Sequence, residues 1–236
     1  MLRLARTWLW LSVVAATVAV QANAQNTTTH AFLWSSTTGM QDLGSPGGSS
    51  YANGINNAGQ VVGYYVTYAG TYRAFLWTPS GGMQDLGTLG GDFAIASGIN
   101  SSGQVVGGAS TASGEAHAFL WTATSGMQDL GTLGGTSSSA VAINDMGDIT
   151  GSASQLGDIR VVAFRQAPGK KMYGLGTLGY RYSYGYAINA AGTVVGASPL
   201  NKNLTPNHAF IRRKGSRLVD LGTLGAGDST ALGISS

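Results

Sequence analysis

One string returns along this chain at a nearly fixed interval. His30-Ala-Phe-Leu-Trp34 recurs as Arg73-Ala-Phe-Leu-Trp77, His117-Ala-Phe-Leu-Trp121, Val162-Ala-Phe-Arg-Gln166 and His208-Ala-Phe-Ile-Arg212. The copies start at 30, 73, 117, 162 and 208, so the period grows from 43 to 46 residues. Three further motifs keep the same beat. They are Gly54-Ile-Asn56, Gly59-Gln-Val-Val-Gly63 and Asp42-Leu-Gly44, with cognates in the later periods. Several motifs recurring in phase define a repeat protein, whose fold must be built from one stacked unit.

Each period reads as four short strands. In the first full one they span Tyr51–Asn56, Gln60–Val66, Tyr72–Thr78 and Met83–Leu86. Asn56-Asn-Ala-Gly59 and Pro79-Ser-Gly-Gly82 supply the turns, with Gly at the positions that need positive φ. Ala74 and Leu76 alternate with Phe75 and Trp77, the period of a strand. No helical periodicity of useful length appears after the N-terminus. A four-stranded unit of about 45 residues matches a propeller blade. The fold class expected is all-β, a β-propeller-like array of about five blades. The first strand, rich in small residues, suits the crowded axis. Phe32, Trp34, Phe75, Trp77, Phe119, Trp121, Phe164 and Phe210 fall where blade faces pack, so they are expected to be core.

The full units run over about 51–92, 93–135, 136–179 and 180–225. Residues 30–44 supply only a third and a fourth strand, and 229–236 supply only a first. The expectation is one blade split between the termini, lacking its second strand. An edge left open there is a site of association.

Ahead of the repeats, Arg3 and Arg6 precede an apolar run over Thr7–Val20, and Ala22-Asn23-Ala24 is a small-residue exit. Residues 1–24 read as a signal peptide cleaved after Ala24, because the run is shorter than the roughly 20 residues that span a bilayer. The protein is expected to be secreted or periplasmic, as one domain over 25–236 with no membrane span after cleavage. It has no Cys, which excludes thiol catalysis and Cys-ligated metal and leaves packing and sheet hydrogen bonds to hold the fold. Charge is uneven. Residues 25–150 hold one base, Arg73, against seven acids, net −6, whereas 151–236 hold ten bases against three acids, net +7. That makes the molecule dipolar rather than uniformly basic, and no nucleic-acid partner is expected.

The strings His-Ala-Phe-Leu-Trp, Met-Gln-Asp-Leu-Gly-Thr-Leu-Gly-Gly and Gly-Ile-Asn-x-x-Gly-Gln-Val-Val-Gly resemble the bacterial HAF family of probable extracellular repeats, over nearly all of the chain after residue 25. The resemblance implies an exported protein and no common activity. Val162-Ala-Phe-Arg-Gln166 and Gly174 depart from the pattern.

Asp42, Asp85, Asp129 and Asp220 recur at one position of the blade, as do His30, His117 and His208. Recurrence in several blades argues for scaffold rather than catalysis, and separated copies cannot converge on one metal. Asn144-Asp-Met-Gly-Asp148 has the look of a calcium loop but lacks the distal Glu. No catalytic, metal or cofactor site is assigned. Asp92, Glu115, Asp158 and Asp228 are the acids outside the repeat, and a hydrolase would have to be built from them. Lys170-Lys171 and Arg212-Arg213-Lys214 fall in equivalent hairpins and read as solvated. The sharpest break in the repeat is Tyr180-Arg181-Tyr182-Ser183-Tyr184-Gly185-Tyr186, in the loop before a first strand. Aromatic rings beside Arg suit sugar faces, peptides or anionic groups. The expected function is a non-enzymatic binding or cell-surface module, with Tyr180, Arg181, Tyr182, Tyr184 and Tyr186 as its ligand site and a glycan, peptide or cell-surface component as partner. The alternatives are a carbohydrate-active or other hydrolytic propeller, or a shortened repeat protein without independent function.

Overall fold

The computed structural model describes residues 14–19, 28–204 and 206–235, the backbone alone over 14–19. Arg3, Arg6 and Ala22-Asn23-Ala24, on which the expected signal peptide rests, lie outside the described residues. All described regular structure is β, in five antiparallel sheets, four of them four-stranded.

The first full blade is β4 (Ser50–Ile55), β5 (Val61–Val66), β6 (Tyr72–Thr78) and β7 (Gly82–Asp85), paired in chain order. The next is β8 (Gly90–Ile99), β9 (Val105–Thr111), β10 (Ala116–Thr122) and β11 (Gly126–Asp129). β12 (Gly134–Ile143), β13 (Ile149–Gln155), β14 (Val161–Gln166) and β15 (Tyr173–Gly176) form the third. β16 (Tyr184–Ile188), β17 (Val194–Pro199), β18 (Asn207–Arg212) and β19 (Val219–Asp220) form the fourth. The fold is the propeller-like array that the period implies. Strand boundaries fall within one residue of those expected for the first full unit.

Register explains the motif. Phe75, Phe119, Phe164 and Phe210, all fully buried, each stand opposite a glycine of the second strand: Gly63, Gly107, Gly151 and Gly196. A Cβ at Gly107 would lie 2.0 Å from the carbonyl oxygen of Ile95 and 2.8 Å from the Phe119 ring. The Gly-x-Val-Val-Gly motif therefore ends on a residue with no side chain because the first strand and the Phe occupy that space. The two faces of a strand serve two interfaces. Phe75 and Trp77 pack with Ala31 and Leu43 of the preceding sheet, while Ala74, Leu76 and Leu86 pack with Phe119 and Trp121 of the following blade. Burial of these side chains, at roughly 1.5–3 kcal/mol each, is the main cohesion of a chain without disulfides.

Small polar groups fix how blades meet. The Ser50 hydroxyl accepts from the Ala31 amide and donates to the Gly44 carbonyl. Ser138, Ser183 and Ser229 make the same two bonds to the blade before them. At the hairpin end, the Asn56 side-chain amide donates to the Asn100 carbonyl, Asn100 to Asn144, Asn144 to Asn189 and Asn189 to Ser235. One side-chain amide per blade thus ties each inner hairpin to the next.

The split blade is corrected in detail. β1 (Val14–Ala19) pairs with β2 (Thr29–Ser35), which pairs with β3 (Gly39–Asp42). Val14 stands opposite Trp34 and Ala16 opposite Phe32, the register in which Val61 stands opposite Trp77 and Gly63 opposite Phe75. Val14–Ala19 therefore fill the second-strand place expected to be empty. Val14-Ala-Ala16 stands where the first full blade has Val61-Val-Gly63, so Ala16 takes the place that Gly holds in the four full blades. Nor do 229–235 pair with 30–44. Among the described residues, their bonds run to the fourth blade: Ser229 N–H to the Asn207 carbonyl, Ala231 N–H to the Gly196 carbonyl, and the Ser235 carbonyl from Asn189. Residues 229–235 lie where a first strand of a following blade would lie.

Candidate functional site

The strand ends away from the Asn hairpins carry the β5–β6 type turns and the crossings between blades. In the crossing from β15 to β16, Ser183 anchors the chain by its two blade-to-blade bonds and by its amide to the Val161 carbonyl. The Tyr182 carbonyl accepts from the buried Ser198 hydroxyl. These ties leave the even-numbered tyrosines half-buried around a fixed backbone. Tyr180 and Tyr182 meet edge to face, centroids 5.9 Å apart, and the Arg181 guanidinium lies 5.7 Å from the Tyr180 ring. Tyr184 and Tyr186 lie nearly parallel at 6.5 Å. Burial, then the neighbouring Tyr186 and Tyr182 hydroxyls, pushes the Tyr184 hydroxyl above its ordinary pKa, so it is a neutral donor at physiological pH. Tyr180, Arg181 and Tyr182 thus meet on the crossing, and Tyr184 and Tyr186 meet on the β16 strand that follows it.

A second aromatic group was not expected. Tyr51 and Tyr64 stack at 5.0 Å, and Tyr72 meets Tyr64 edge to face at 5.5 Å. Tyr51 follows Ser50 as Tyr184 follows Ser183, so both occupy one strand position in different blades. The signal was visible as a run of tyrosines at 64, 65, 68 and 72.

The recurrent acids sit at the rim of every sheet but the third full blade, where Gly174 takes the place. Asp42, Asp129 and Asp220 meet His30, His117 and His208 at 2.8–2.9 Å, and Arg73 takes the histidine's place against Asp85 at 3.0 Å. Each Asp also accepts from the glycine amide two residues on, at 2.7 Å. Such a carboxylate closes a turn and orients one side chain across the β-ladder. Of the acids outside the repeat, Asp158 accepts from the amide and hydroxyl of Thr136, Asp228 from the Asn207 amide, Asp92 from the Ser110 hydroxyl, and Glu115 stands 3.7 Å from His117. These four partner sets are distinct. Among the described residues no group of three or more His, Cys, Asp or Glu is placed to hold a metal ion. Asp148 takes up Arg165 instead of a cation, and Arg212, expected in solvent, reaches back to the Leu175 carbonyl.

Phe75, Phe119, Phe164, Phe210, Trp77 and Trp121 are buried, but Phe32 is half-buried and Trp34 is 39 % exposed. Among the described residues no blade covers the Phe and Trp side of the N-terminal sheet.

This fold and these placements define a propeller-like repeat array with an aromatic crossing on its fourth blade. No family model and no curated protein matches the chain. Among solved structures it is similar to TolB from Acinetobacter baumannii, at TM-score 0.61 and 12 % identity over 88 % of this chain. The chain spans 52 % of that protein's length. It also aligns with AofleA from Arthrobotrys oligospora at TM-score 0.45 and 12 % identity, over 89 % of this chain and 70 % of that one. At such identities the likeness to TolB is one of fold. Among the described residues no helix is long and apolar enough to cross a membrane.

Proposed function

We propose that this chain is an exported HAF-type repeat protein that works as a non-enzymatic binding module, with the Tyr180–Tyr186 crossing as its ligand face. The observation that carries this reading is the set of four tyrosines and Arg181, held by Ser183 and Ser198. Half-buried rings on an anchored backbone cost little conformational entropy to use, and Arg beside them adds a charged donor. The ligand class they suit is a sugar ring, with an acidic group near Arg181. Export rests on the leader, with cleavage after Ala24. Cleavage removes Val14–Ala19 and leaves β2 without a strand on that edge.

The test is a glycan and peptide array with the mature chain, followed by Tyr182→Ala plus Tyr184→Ala. Loss of the array signal with unchanged circular dichroism is expected. Undiminished binding by the double variant would remove the crossing from the account. Mass spectrometry of the exported protein tests the cleavage site separately.

A further inference from the structure

Three segments lie side by side at the crossing end of the third and fourth blades. The middle one is the crossing itself, 177–183. On one side it pairs with the third blade, where Tyr182 bridges Val161 and the Ser183 amide donates to the Val161 carbonyl. On the other side it lies on the fourth blade. There the Leu178 amide donates to the Ser198 hydroxyl, and a Cβ at Gly179 would run into the Leu200 carbonyl oxygen. The crossing is thus flanked by the β13–β14 turn, which begins at Leu156, and the β17–β18 turn, which begins at Leu200. Each segment carries one exposed base: Arg160, Arg181 and Lys202. Among the described residues none of the three is ion-paired. Both turns also lift aliphatic side chains into solvent, with Leu156 84 % exposed, Ile159 56 % and Leu204 45 %. The third blade packs against a blade on each side, so the exposure of Leu156 and Ile159 belongs to the turn rather than to an end of the array. The equivalent turns of the first two blades, 67–71 and 111–115, contain no base.

We propose that this face docks the protein on a bilayer surface that carries anionic headgroups. Leu156, Ile159 and Leu204 enter the boundary between headgroups and acyl chains, while Arg160, Arg181 and Lys202 meet the lipid phosphates around them. Charge complementarity selects this occupant. Residues 151–236, which bear the face, are net +7, and 25–150 are net −6, so an anionic surface orients the molecule with the third and fourth blades toward it. Aliphatic side chains on turn tips suit a fluid surface, whereas a sugar stacks on ring planes. The acids beside the face are engaged elsewhere: Asp158 accepts from the Thr136 amide and hydroxyl, and Asp228 from the Asn207 amide. The two non-glycine residues with positive φ among the described residues fall in these same turns, Asp158 at 55° and Leu204 at 62°. A leucine that is strained and exposed at once has a cost that packing within the molecule does not offset, and such positions cluster at functional sites. Docking rests on the two turns and goes beyond the sugar-binding reading, with Arg181 common to both.

The experiment is co-sedimentation of the exported protein with vesicles of phosphatidylcholine alone, and of phosphatidylcholine with about one-third phosphatidylglycerol. The protein binds the anionic vesicles, more weakly as salt rises, and leaves the neutral ones largely in solution. Two variants, Leu156→Ser with Ile159→Ser and Arg160→Gln with Lys202→Gln, leave the tyrosines and Arg181 in place. The first weakens binding at least about tenfold through two lost aliphatic side chains. The second weakens it about thirtyfold through two lost charges near an anionic surface. All four side chains are exposed, and thermal melting checks that both variants fold. Because the chain has no Cys, Ile159→Cys takes a single environment-sensitive fluorophore, whose emission shifts to the blue on anionic vesicles. The same label at Ala58→Cys, exposed in a hairpin at the opposite end, does not shift. Binding unchanged in both variants, or a shift at Ala58 instead, would overturn the proposal. Absence of any vesicle binding would overturn it too and leave the face to an acidic protein partner. Leu156→Ser with Ile159→Ser keeps every residue of the sugar site, so its array signal reports on that site whether or not docking holds.

Discussion

Arg165 Nη2 donates to Asp148 Oδ2 across 2.8 Å, between two side chains that are almost wholly buried. In the first two full blades these positions hold an apolar and an uncharged residue, Leu76 with Gln60 and Leu120 with Gln104. The third blade has replaced both together. Gly192 of the next blade leaves room for the guanidinium: a Cβ there would stand 2.3 Å from Arg165 Nη2.

Removing one partner of such a pair strands the other charge in a site it cannot leave. Arg165→Leu is expected to cost about 3–5 kcal/mol. Adding Asp148→Gln to it restores the pattern of the neighbouring blades and returns stability to within about 1 kcal/mol of the parent, since a buried ion pair is often no better than well-packed uncharged residues. Urea denaturation of the parent, both single variants and the double variant measures the coupling. Additive effects would show that the two side chains do not act as a pair.

Two glycines of one blade type separate two reasons for having no side chain. Gly59, at φ +73°, has nothing within 4 Å of a built Cβ, so Gly59→Ala meets only backbone strain, about 1–2 kcal/mol. Gly107→Ala drives a methyl group into the Ile95 carbonyl and the Phe119 ring, and about 4 kcal/mol or more is expected. The same denaturation curves decide it. Equal costs would mean that the first and second strands can part to admit the methyl group.

The rim of the first full blade titrates at both ends of the pH scale. Burial, then the bond to Asp85, pushes the Tyr65 hydroxyl up to about 12. Its protonated form is favoured in the folded chain. The stabilisation is complete below about 10, where an unfolded tyrosine ionises, and is lost as pH rises through 12. Asp85 moves the other way. Burial raises it, but Arg73, the Gly87 amide and Tyr65 together hold it below the ordinary carboxylate range. Its contribution is present above about pH 4 and is lost as pH falls further. The melting temperature should therefore drop at both extremes. Tyr65→Phe should flatten the alkaline limb, and Asp85→Asn the acid limb. An alkaline limb identical in Tyr65→Phe would place the responsible group elsewhere.

Much of this architecture was legible because a strand writes its two faces in alternate letters. Ala74-Phe-Leu-Trp77 announced both interfaces at once, and the period announced the blade. Other features leave no such trace. Ser50 and Asn56 hold neighbouring blades together through single hydrogen bonds, and small polar residues in a Gly-rich stretch look like turn chemistry. Nothing in the apolar run at Val14–Ala19 announces its pairing with β2, because composition alone does not reveal a strand's partner. Arg165 was visible as a departure, but its partner Asp148 lay 17 residues away in a motif of its own. The tyrosine crossing stood out because it broke the repeat. The stack of Tyr51, Tyr64 and Tyr72 is assembled from three strands, so only the register brings it together.

The chain from Asn56 to Asn100, Asn144, Asn189 and Ser235 advances by 44, 44, 45 and 46 residues. Excising one such step, from the hairpin of one unit to the hairpin of the next, rejoins two surfaces that already fit. Excising half a step leaves an inner hairpin with no carbonyl to hold and a Phe with no glycine beneath it. Gene lengths in this lineage should accordingly change in increments of one unit, by duplication or loss of about 130 base pairs, three for each residue of a unit. Natural size variation is then written into the joints rather than into the ligand surface.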